Sequence, residues 1–226
     1  MGEVSKPAPE AGGEFDTSDQ LVKDILSKSL DLEQAKLLCL EAKAQETAFG
    51  FNLSRANGGI DILLQDSRYL LYTTSFGFPQ LYDRLKASNL PHFEIVDSNI
   101  DQSIAAVKIP FDARPMDSVV YKEQGFVQGY IGAFEKMAQL GEYLAKLYKA
   151  IGALPLNLKL VNLAFLNQDK NFIRLVPPIE ASPQVNIKDV SNSIQEDLVR
   201  IDPRTPHETQ VDKLIKSFKL ELERHD

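Results

Sequence analysis

Cysteine occurs once in the 226 residues, at Cys39, so an internal disulfide is excluded. No stretch approaches the roughly 18 consecutive apolar residues that would signal a membrane-crossing helix. Lysine and arginine number 25 against 32 aspartates and glutamates, and the net charge of -7 comes without any basic block. Nucleic acid is therefore a poor partner, because phosphate binding needs clustered cations. His92, His207 and His225 are too far apart to share zinc-ligand spacing. Gly58-Gly59 stands outside any Gly-x-Gly-x-x-Gly phosphate loop and reads as a hairpin turn. Asp97, Asn99 and Asp101 have the first spacings of a calcium loop, but Gln102 replaces its glycine and Lys108 its closing glutamate, leaving a polar turn. The opening MGEVSKPAPEAGGEF has no apolar signal region, so the expected location is the cytoplasm.

What is present suits one globular chain of mixed structure. Hydrophobic residues make up 43% and charged residues 25%, enough at this length to bury a substantial core. Residues 1–16 are rich in Pro, Gly, Ala and Glu and read as a flexible tail. Two helices are expected next, over 17–29 and 31–46. Thr17 and Asp31 are placed as N-caps, with Gln20 and Gln34 at the capping-box positions. Leu21, Ile25, Leu32, Ala35, Leu38 and Ala42 supply their apolar faces, and Cys39 reads as a buried thiol.

Strands are expected at 48–53 and 60–64 around the Gly58-Gly59 turn, then at 69–74, 92–97 and 104–111. No lysine lies between Lys43 and Lys86; Arg68, at the start of the third run, is the cation nearby. A helix is placed near 79–87. Gly125, Gly129 and Gly132 fall on a further helix, where close packing explains them. Ser191–Ile201 and 206–226 read as helices, the last with Val211, Leu214, Ile215, Phe218 and Leu222 at helical spacing.

The most informative stretch runs from Leu140 to Glu180. Phe134, Met137, Gly141, Leu144, Leu147 and Ile151 make one apolar helix face, and Gly152 ends the helix. A short loop leads to two apolar runs, Leu163–Leu166 and Phe172–Val176, flanking an expected polar turn at 167–171. The run stops at Pro177-Pro178. Helix, loop, hairpin and stop in this order resemble the centre of the protein-kinase-like fold. Laid on that family's His-Arg-Asp-Leu-Lys-x-x-Asn loop, residues 155–162 match at Leu158, Lys159 and Asn162. Asn157 stands at the catalytic aspartate, Pro155 at the histidine, and Pro177-Pro178-Ile179 at the metal-binding Asp-Phe-Gly. Asp197-Leu198-Val199-Arg200 is similar to the Asp-Leu-x-Arg of the helix that braces this loop in small kinase-like phosphotransferases.

The resemblance implies an α+β, two-lobed, protein-kinase-like fold. Its parts would be a helical extension over 17–46, a β-rich small lobe over 47–111, and a reduced helical lobe over 112–226 carrying the loop-like segment 155–180. It also implies a domain without catalytic or metal-holding residues. An amide at Asn157 cannot take up a proton as a general base does, Pro177 has no charge, and the small-lobe lysine is missing. Lys159 and Asn162, with Asn157 and Glu180, would form a vestigial nucleotide pocket. The expected function is a pseudokinase that binds another protein through its terminal amphipathic helices, with no cofactor. One alternative is a divergent phosphotransferase using ATP, with or without magnesium; another is an α+β interaction module unrelated to kinases.

Overall fold

The computed structural model describes residues 17–46, 59–65, 67–74, 83–85, 87–99, 101, 103–116, 128–166, 169–176, 180–204 and 206–224. The expected tail, the strand at 48–53, the Gly58 turn position and Pro177-Pro178-Ile179 lie outside them. The architecture is α+β, with antiparallel sheets and a mainly helical C-terminal half.

Two helices open the described chain, α1 (Thr17–Lys28) and α2 (Leu32–Glu41). Asp31 caps α2 as expected, its carboxylate accepting from the Gln34 N–H at 2.8 Å. The Gln34 side chain accepts from Leu30, one residue short of a capping box. Gln20 does not turn back to a cap either; its amide donates to Asp24 one turn ahead. The second helix stops five residues before the expected end. Lys43 adopts φ 64°, Ala44 bonds back to the Cys39 carbonyl, and Gln45–Glu46 leave as strand β1. Pairing with Ile62 and Leu63 satisfies their backbone better than a frayed helix end would.

β1 is the edge of a five-stranded sheet in the order β1-β2-β3-β5-β4. The others are β2 (Ile60–Leu64), β3 (Ser67–Thr73), β4 (Ile95–Asn99) and β5 (Ile104–Lys108). Asp97 and Asn99, read from sequence as part of a polar turn, are in β4. The central strand β3 is buried on both faces, as the alternation of its side chains requires. On one face Tyr69 and Leu71 join Ile60, Ile62, Leu64, Ile104 and Ala106 under Val22, Ile25, Leu26, Ala35 and Cys39 of the two helices. On the other, Leu70, Tyr72, Ala105 and Val107 meet Phe93, Ala164 and Val176. The 17–46 extension thus packs across the sheet, and its apolar face is spent on the chain's own core.

The chain then forms β6 (Ala113–Pro115), the long helix α3 (Gln128–Ile151), β7 (Leu154–Pro155), β8 (Leu163–Leu166), β9 (Asp169–Leu175), β10 (Ala181–Ser182), α4 (Ile187–Ile201) and α5 (Glu208–Glu223). Gly152 ends α3 at φ +70°, a conformation glycine takes without strain. β9 begins earlier than its apolar run, with Asp169 opposite Leu166, so three residues expected in the turn belong to the strand. Backbone pairing along a hairpin is indifferent to side-chain polarity, which is why the apolar run alone misplaced its start. In α5, Leu214 and Phe218 are buried against α3 residues in the helical core, so the C-terminal helix also turns its apolar face inward.

Candidate functional site

The loop between α3 and β8 is built almost entirely from backbone hydrogen bonds to fixed groups. β7 pairs antiparallel with β10, Pro155 opposite Ala181, and the Leu156 N–H donates to the Glu180 carbonyl at 2.7 Å. Asn157 turns the chain at φ 52°, a left-handed position that asparagine accepts more readily than most residues. Leu158, 2% exposed, anchors the loop in the helical core. One 3-10 turn follows over Leu160–Asn162. Inside it the Asn162 N–H donates to the Lys159 carbonyl at 2.9 Å, and the Lys159 N–H to Asn162 Oδ1 at 3.3 Å. The Asn162 carbonyl accepts from Val176 at 2.8 Å and so fixes the end of β9 to the loop.

Asp197 completes the support. It comes from α4 with its side chain buried, and Oδ2 accepts the Leu160 N–H at 2.8 Å while Oδ1 meets Arg200 at 2.9 Å. A carboxylate accepting a backbone N–H in a buried place is a strong positional constraint. The Asp-Leu-Val-Arg run expected from sequence to brace the loop does contact it.

The structure brings Asn157, Lys159 and Asn162 into this one loop, but not as a cluster of outward-facing functional groups. Asn157 and Lys159 are exposed, and Asn162 is buried with its side-chain oxygen used inside the loop. Glu180 meets the loop through its backbone carbonyl, its residue being otherwise exposed. The carboxylate seen bonding to the loop, Asp197, is committed to scaffold contacts on both oxygens. Among the described residues no three His, Cys, Asp or Glu side chains gather closely enough to hold a metal ion.

On the sheet face opposite the two helices, β3 presents Arg68, Leu70 and Tyr72. Arg68 is 5% exposed. It donates from Nη1 to the Phe111 carbonyl at 3.2 Å, and its guanidinium sits 5.5 Å from the Phe111 ring centre. Burial draws its pKa down from the ordinary arginine value, Asp61 pulls it back up, and Arg114 adds a smaller push down.

Arg68 also lines a cleft of about 500 Å³ that sequence reading did not anticipate. It lies where β5 passes into the connection between the two halves, with His92 and Glu94 on one side and Leu166 and Arg174 of the hairpin on another. Its lining comes from separate segments with no shared motif, and the lone arginine beginning a lysine-free strand was the one local hint.

No protein-family model matches the chain, and no curated protein matches it. Among solved structures it is similar to a choline kinase, LicA from Streptococcus pneumoniae, at a TM-score of 0.43 and 10% identity, over 81% of this chain and 79% of that one. At that distance nothing about activity passes from one protein to the other.

Proposed function

We propose that this chain is a kinase-like domain that has given up phosphoryl transfer and acts by binding another protein. The observation that carries the reading is the braced loop: Asp197 bonds the Leu160 N–H as a loop-supporting residue should, while an exposed amide, Asn157, stands where a catalytic carboxylate would be needed. A neutral amide can orient a hydroxyl but cannot accept its proton at neutral pH. The sheet face above the hairpin supports the same reading. Leu70, Tyr72, Phe93, Ala105, Val107, Ala164 and Val176 form a continuous apolar cluster there, each nearly inaccessible to solvent, and β3 offers no lysine. Lys159 and Asn162 remain as the vestige of a nucleotide pocket.

For the protein contact we assign the outward side of the N-terminal helices, where Leu30, Leu37 and Leu40 are exposed by 67%, 59% and 42%. The inward faces of α1, α2 and α5 are already buried in the protein's own core.

The test is the melting temperature with and without millimolar ATP, each with magnesium or with a chelator. A ligand that binds only the folded state raises stability by mass action. The expected result is no shift that depends on magnesium. A magnesium-dependent shift would instead establish a competent metal site and put the divergent phosphotransferase first.

A further inference from the structure

Helix α2 is apolar on two sides. Inward, Ala35 and Cys39 are buried, and Leu32, Leu38 and Ala42 pack beside them over the sheet. Outward, Leu37 and Leu40 are exposed, and Leu30 continues the stripe from just before the Asp31 cap. A helix that covers a sheet normally turns polar residues outward, whereas here these leucines stand in solvent. The acids of this side are in line with the stripe. Glu33 and Glu41, both exposed, lie four residues before and four after Leu37, on one row of the helix. Glu41 ends the last turn, where the helix dipole disfavours an anion and where α2 has no cation of its own. Lys36 is half-buried and engaged at the flank, while Lys28 belongs to α1 and Lys43 lies beyond the α2 cap. A local preference broken on an exposed face is the mark of a contact made there.

We propose that the outward side of α2 docks a basic amphipathic helix of another protein. The apolar stripe of that helix covers Leu30, Leu37 and Leu40, and its lysines or arginines meet Glu33 and Glu41. The inference rests on the reading that the domain binds protein through its N-terminal helices, and adds the chemistry of the partner. The net charge of -7 draws a cationic partner in. A second copy of this chain is a poor occupant. Pairing α2 antiparallel with itself about Leu37 sets Glu33 against Glu41, and pairing it parallel sets each acid against its own copy.

The probes are two fluorescein-labelled helical peptides of about 18 residues, with leucine at i, i+3, i+4 and i+7 spacing. One carries lysine at the remaining positions and the other glutamate. Fluorescence anisotropy at physiological ionic strength should show the lysine peptide binding and the glutamate peptide not. Leu37→Glu with Leu40→Glu should weaken the lysine peptide about tenfold or more, although the added negative charge would strengthen mere attraction to an acidic protein. Glu33→Lys with Glu41→Lys should weaken the lysine peptide and admit the glutamate peptide. No binding, or binding that survives Leu37→Glu with Leu40→Glu, would overturn the proposal. So would a glutamate peptide that binds wild type and is lost in the leucine variant, since the contact face would then stand and the basic partner fall. A dimer in sedimentation equilibrium that the leucine variant abolishes would overturn it in favour of a second copy. The nucleotide test fails separately: a magnesium-dependent ATP shift would remove the non-catalytic reading and leave the peptide results unchanged.

Discussion

Between α3 and α5 the backbones come so close that a Cβ on Gly141 would collide with the Leu214 carbonyl oxygen and lie 3.0 Å from the Phe218 nitrogen. Across the sheet, by contrast, α1 and α2 meet β2, β3 and β5 through layers of aliphatic and aromatic side chains. Both halves are held by buried apolar area, but the helical half also has points, such as Gly141, where geometry leaves no slack. Point constraints fail abruptly when one atom is added, whereas apolar layers repack.

Gly141→Ala should break the comparison most severely. The helices must separate or bend, and urea unfolding should show a loss of about 3 kcal/mol, at the upper end of overpacking costs. An alanine variant as stable as wild type would mean that the helices do not approach this closely in solution. Asp197→Ala, the second point constraint, should cost about 2 kcal/mol by stranding the Leu160 N–H. Asp197→Asn, which keeps an acceptor, should recover part of that. Removing the exposed partner with Arg200→Ala should change stability by under about 0.5 kcal/mol.

Alkali should act on both halves, on the helical one through Tyr143, whose phenol is also pushed up by burial, and on the sheet through two groups. Burial pushes the Cys39 thiol up to about 11, and burial with the Asp19 hydrogen bond pushes the Tyr69 phenol up to about 12. Both are raised, so the folded state retains protons that the unfolded chain releases. Their contribution is whole below the ordinary values of 9.0 and 10.0 and is lost as pH rises towards 11 and 12. Stability measured from pH 8 to 11 should fall by on the order of 2 kcal/mol on this account, and Cys39→Ala with Tyr69→Phe should make the fall shallower, leaving the share of Tyr143. A curve unchanged by both substitutions would show that neither group is as dehydrated as its position implies. The smallest effect is reserved for Leu37→Glu with Leu40→Glu on the outward face of α2. Stability should stay within about 0.5 kcal/mol of wild type, sharpening the distinction between surface and layer.

Periodic elements were readable because their signal is local. The apolar face from Met137 to Ile151, the stop at Gly152, and the α5 stripe through Leu214 and Phe218 all appear in the structure where residue spacing puts them. The failures occur where a distant strand outcompetes local preference. Gln45 and Glu46 leave helix α2 to pair with β2, and Asp169–Asn171 pair despite their polarity. A contact between Asp197 and the 155–162 loop was expected from a resemblance, and Asp197 does accept from the Leu160 N–H. The side-chain orientation of Asn162 was not, since nothing in a sequence says whether an amide points outward or into its own turn. The cleft was hidden for the same reason in stronger form: Arg68, His92, Lys108 and Arg174 are neighbours only once the sheet and hairpin are assembled.

The stretch between β3 and β4 has a consequence for how the chain can come apart. Leu85 and Leu90 lie in the helical core, Arg84 reaches the Ile151 carbonyl at 3.2 Å, Tyr143 donates to the Pro91 carbonyl at 3.3 Å, and His92 bridges to Leu175. A segment that precedes residue 111 in sequence is thus stitched into the half that follows it, so a cut there yields two fragments that each lack part of their interior. The two halves should melt in a single transition, and amide exchange in β3 and α3 should converge on one opening free energy.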